Sequence, residues 1–116
     1  MPRKPKRSKS TAGARLEAGE RAAVMRAATI AAEAYGVFRP LIFATTRSRI
    51  AATTARQVAM YLANCSAGIN RNRLARAFGR DPSTIAHNVA LIEDRRDDQT
   101  FDDMIAGLER RFSNPA

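Results

Sequence analysis

Ser83, Thr84 and His87 follow directly on the segment Phe78-Gly79-Arg80-Asp81-Pro82. Two hydroxyls and an imidazole at that spacing fall on the outward edge of one helix. There each can hydrogen-bond a phosphate oxygen or a base edge. A second segment, Thr54-Ala-Arg-Gln-Val-Ala-Met-Tyr-Leu62, places Arg56 and Gln57 at the opening of another helix. Guanidinium and amide groups there suit recognition of a polyanion, not the making or breaking of bonds. The single His87 and single Cys65 are 22 positions apart and supply neither a zinc set nor a Cys-His nucleophile. The expectation is a protein that is not an enzyme and uses no metal, cofactor or nucleotide.

The charge distribution points the same way. Over the 116 residues the net charge is +9. Residues 1–80 carry +13, and residues 81–116 carry −4. Between Glu33 and Asp81 there is no acidic residue, yet eight arginines occur there: Arg39, Arg47, Arg49, Arg56, Arg71, Arg73, Arg76 and Arg80. An ordinary solvated surface mixes its signs, whereas a long stretch of arginine alone fits phosphate oxygens. Double-stranded DNA is the expected partner, read with some sequence preference. Cys65 has no partner in the chain for a disulfide, which fits a reducing cytoplasm. No apolar run has the roughly 18–20 residues a membrane span requires. The basic N-terminus lacks the apolar stretch of a signal peptide. A cytoplasmic, nucleoid-associated protein is expected.

The elements that must position these groups read as helices. Residues 1–13 hold five Lys/Arg and two Pro and predict a disordered basic arm ahead of a helical DNA-binding domain over 14–116. Ala14 to Tyr35 reads as a core helix with Leu16, Ala23, Ala27, Ile30 and Ala34 on its packed face, ending at Gly36. Ala44 to Ala52 reads as a loop with Arg47 and Arg49. The spacing Thr54 to Gln57 resembles a capping box, so the next helix is expected to start there. Its core stripe would be Val58, Tyr61, Leu62 and Cys65. Arg56 is then expected outside, at the positive end of the helix dipole, where a phosphate would offset the repulsion.

Asn70 or Asn72 caps a short helix that Gly79 ends. Asp81-Pro82 starts another, with Ile85, Val89 and Ile92 buried. A short helix, a glycine turn and a polar-faced helix over about 70–96 form a helix-turn-helix pattern. A last helix is expected from a Thr100/Asp103 box through Phe112. The fold class is all-α, a small helical bundle.

From about Ala31 to Phe112 the chain resembles the C-terminal DNA-binding domain (domain IV) of the bacterial replication initiator DnaA. The resemblance rests on Ala34-Tyr35-Gly36-Val37, Arg47-Ser48-Arg49 and the string Arg56-Gln57-Val58-Ala59-Met60-Tyr61-Leu62. Leu74-Ala75 and Phe78-Gly79-Arg80-Asp81 with Ser83-Thr84-Ile85, His87 and Ile92-Glu93 complete it. It implies a Trp-repressor-like all-helical domain that reads a short asymmetric box as a monomer. It also implies Arg47 or Arg49 in the minor groove, and Arg56 and Gln57 on phosphates. Asp81, Ser83, Thr84 and His87 would approach the major groove, with Arg80 beside them.

The chain departs from the family at Pro82, where a base-reading His is usual, and at Ala55, where Pro is common. The stretch from Arg49 to Arg56 is also one residue longer. No Walker A loop occurs, so origin opening by this chain is not expected. The lead expectation is a transcriptional regulator, phage-related or gene-transfer-agent-related. It would act with RNA polymerase, a sigma-like factor or another DNA-binding protein. The alternatives are a non-catalytic modulator that occupies initiator boxes, and a helical adaptor that docks a protein.

Overall fold

The computed structural model describes residues 15–44 and 49–114. The basic arm and Arg47 lie outside the described residues. The described residues form five α-helices and two short irregular helical turns: α1 (Ala18–Tyr35), a 3-10 helix (Arg39–Phe43), α2 (Ile50–Tyr61), a π-helical turn (Leu62–Ser66), α3 (Arg71–Phe78), α4 (Pro82–Arg95) and α5 (Gln99–Ser113). The all-helical class expected from the sequence is the one observed. No helix among the described residues is long and apolar enough to cross a membrane.

α1 forms because alanine is the best helix former and costs no side-chain entropy. Its buried face is Val24, Ala27, Ala28, Ile30, Ala31 and Ala32. Small side chains let α2 approach closely with Ala52, Ala55 and Ala59, all buried. Ala34, expected on that face, is exposed: it lies in the last turn of α1, past Ala32, the last buried residue of the helix. Gly36 closes α1 at φ 64, the left-handed conformation that glycine takes without strain.

α2 begins at Ile50, one turn before the expected start at Thr54. Arg49 is the extended N-cap, and its carbonyl accepts from Thr53 N at 3.0 Å. Carrying the extra turn buries Ala52 and Ala55, a gain the capping-box reading ignored. At Leu62 the ladder loosens to i→i+5, with Ala67 N donating to the Leu62 carbonyl at 3.1 Å. The added residue turns Cys65 out to solvent, so its expected place in the core stripe is corrected. Val58, Tyr61 and Leu62 do face the core.

α5 starts at Gln99, not from a Thr100/Asp103 box: Asp98 Oδ2 accepts from Phe101 N at 2.9 Å. Its Phe101, Ile105 and Phe112 are buried. Arg96 anchors it, donating to Asp102 at 2.5 Å, to Glu109 at 2.9 Å and to the Tyr61 hydroxyl at 3.0 Å. Burial opposes the charge on Arg96, but these acceptors overcome it and raise its pKa. On the opposite side Arg26 lies 4.4 Å over the Phe112 ring.

Candidate nucleic-acid interface

Asn70 accepts from Arg73 N at 3.0 Å and opens α3. Gly79 ends it in the left-handed conformation, φ 64, and Arg80 N returns to the Ala75 carbonyl at 3.0 Å. Asp81 is extended, and its carbonyl takes Thr84 N and Ile85 N, while Pro82 occupies the first turn, where no N–H is needed. Ile85 and Ile92 pin α4 into the core. Ser83 and His87 are consequently exposed on the side away from Ile85, and Thr84, next to Ile85 in the chain, is half-buried. Asp81 is exposed and makes no side-chain cap bond.

Two hydrogen bonds set how α2 lies against α4. Gln57 Nε2 donates to Asn88 Oδ1 at 3.0 Å, and one turn later the Tyr61 hydroxyl donates to Glu93 at 2.8 Å. The contacts climb both helices in the same direction, so the N-termini of α2 and α4 lie at one end of the molecule. Arg49 is exposed at that end, beside the start of α2. The unbonded N–H groups of two helix starts add positive potential there. At the other end of α4, Glu93, Asp94, Asp97 and Asp98 are all exposed. Even with Arg95 and Arg96 among them, these four carboxylates leave that end of α4 net acidic.

Burial of Tyr61, reinforced by its bond to Glu93, pushes its hydroxyl up to about 12. Asn88 and Tyr61 were not among the expected site residues. Their signal in the sequence was weak, since a mid-helix Asn and a core Tyr are both ordinary.

Arg56 is not where the sequence placed it. It is 6% exposed, donates from Nε to the Ile42 carbonyl at 2.8 Å and from Nη2 to the Leu41 carbonyl at 2.8 Å. Burial, then the nearby Arg80, lowers its pKa. The 3-10 helix supplies the acceptors: the guanidinium fork takes the Ile42 carbonyl and shares the Leu41 carbonyl with Ala44 N, which donates to it at 3.2 Å. Arg80 works similarly, donating to the Phe78 carbonyl at 2.9 Å and to the Ala44 carbonyl at 2.9 Å. Gln57 is half-buried and engaged with Asn88. The structure thus leaves Arg49, Asp81, Ser83 and His87 exposed, with Thr84 half-buried beside them. It places Arg56 inside, with Arg80 and Gln57 between the two. Among the described residues no group of three His, Cys, Asp or Glu side chains could hold a metal ion.

The family model for the bacterial dnaA protein helix-turn-helix matches residues 21–92. That span runs from the first turns of α1 to the last buried residue of α4. No curated protein and no solved structure matches the chain.

Proposed function

This chain belongs to the bacterial DnaA helix-turn-helix family, a DNA-binding domain, and from that premise we propose that it reads duplex DNA by sequence and regulates transcription with a protein partner. The observation that carries the reading is the shared end of α2 and α4. It offers Ser83, Thr84 and His87 to base edges in the major groove and Arg49 to the adjacent minor groove or phosphates, with Arg47, outside the described residues, as the alternative minor-groove arginine. Asp81 stands as an acceptor for a cytosine amino group. Arg56, Arg80 and Gln57 serve by holding that surface in shape, with Arg80 and Gln57 near enough to its edge to touch phosphates. The partner is RNA polymerase, a sigma-like factor or another DNA-binding protein.

A modulator of replication that competes for initiator boxes is the second reading, favoured by the family itself. Pro82 weighs against it. It fills the first position of α4, where relatives usually carry a base-reading His, and it has no donor, so a different box is expected. Mapping of bound sites across the genome, with footprinting of the strongest, tests both. Discrete boxes at promoters support regulation, and boxes clustered at the replication origin support the second reading. Uniform coating would sink both.

A further inference from the structure

Ile50 is 85% exposed, the most exposed large apolar side chain among the described residues. A lone exposed apolar residue needs no explanation in general, but its position here does. It is the first residue of α2, a place where helices gain from acidic residues or proline and not from a β-branched side chain. It contributes nothing to the core, and its neighbour Arg49 is exposed as well.

The parallel register of α2 and α4 says what Ile50 faces. Gln57 is level with Asn88 and Tyr61 with Glu93. Continued back from Gln57 to Ile50, a distance of roughly 10 Å along the axis, the register reaches the start of α4. Ile50 therefore stands beside the first turn of the helix that carries Ser83 and Thr84. A major groove is about 12 Å wide, so a helix start lodged in it leaves its neighbour at the groove wall.

We infer that Ile50 is a specificity-determining contact of the DNA interface, packing its branched tip against apolar groove atoms, either a thymine methyl or the deoxyribose of the groove wall. This rests on the DNA-reading function above and deepens it. The contact is uncharged, so it adds affinity without releasing a counterion.

The test uses the full chain and a duplex selected by it from a random pool. Ile50→Ser and Ile50→Leu are titrated over a range of salt, with thermal melting alongside. Ile50→Ser is expected to weaken binding to the selected duplex roughly tenfold, the scale of one apolar side chain left unburied. The log–log salt slope and the melting midpoint should stay unchanged, and Ile50→Leu should retain most of the affinity. Replacing thymines by uracil one at a time separates the two sources. A position where uracil costs as much as Ile50→Ser, without adding to it, identifies a methyl contact. Loss on Ile50→Ser with no sensitive thymine identifies the sugar. Unchanged affinity for Ile50→Ser, while Thr84→Ala still weakens the same duplex, overturns the inference and leaves the DNA reading standing. A lowered melting midpoint or a shallower slope for Ile50→Ser also overturns it. Failure of the unchanged chain to bind any duplex overturns both.

Discussion

Arg80 donates from Nη2 to the carbonyl of Ala44 at 2.9 Å, joining the turn before α4 to the chain just ahead of the basic segment. Arg56 joins the same stretch to α2 through the carbonyls of Leu41 and Ile42. Two arginines that composition alone assigns to phosphate thus spend donors on the protein's own backbone. They fix where residues 41–44 lie relative to both helices of the interface.

Arg56→Ala is accordingly expected to lower stability before it touches affinity. Removing charged donors from the buried Ile42 carbonyl and the part-buried Leu41 carbonyl should cost about 2–4 kcal/mol. Urea unfolding measures it. Unaltered stability together with weaker binding to every duplex would return Arg56 to the phosphate role.

Thr84→Ala removes a hydroxyl and a methyl from a half-buried position at the start of α4, outside the buried core. A loss of about 1–3 kcal/mol on the preferred box is expected, with little change on random DNA. Ile85→Ala is the contrast. That side chain is fully buried, so the expected cost is about 2–5 kcal/mol of stability. Equal weakening of specific and random binding by Thr84→Ala would make Thr84 a phosphate contact.

Salt dependence reports on the segment ahead of α1. If about six to eight phosphates are neutralised, the log–log slope should be roughly −5 to −7. Deleting residues 1–12 removes five positive charges. The slope should become shallower by a few units while the preferred box stays the same. An unaltered slope would show that these residues do not meet DNA.

Tyr61 ties α2, α4 and α5 together and gives the fold an alkaline limit. Its pKa in the folded state is raised to about 12, from an ordinary value of 10.0. A raised pKa contributes stability that is intact below pH 10 and is lost as pH climbs toward 12. The loss should reach at most about 3 kcal/mol. Unfolding followed from pH 9 to 11 should show this decline, and Tyr61→Phe should flatten it. An equal decline in the variant would assign it to other groups.

The strong local signals in the sequence were legible. Gly79 with Asp81-Pro82 marked the turn and the start of α4, and Ile85 and Ile92 marked its buried side. Gly36 marked the end of α1. What misled was nonlocal. The Thr54/Gln57 spacing looked like a helix start, yet burial of Ala52 against the rest of the fold outweighed a surface cap. Cys65 kept perfect helical spacing, and only the π-helical turn removed it from the core. Arg56 had no carboxylate near it in sequence. Its true acceptors were backbone carbonyls, which every residue carries and no side-chain pattern can reveal.

The net acidic C-terminal end of α4, opposite the positive helix starts beside Arg49, acts before any contact forms. On the proposed reading of DNA, the field of a phosphate backbone would exert a torque that swings Ser83 and Thr84 forward and Asp97 and Asp98 back. Rotational search is a large part of what slows the docking of two specific surfaces. A prealigned approach shortens it, so most encounters begin the right way round. Added salt should therefore slow arrival as well as hasten departure, and an approach with the acidic end leading should seldom mature into a complex.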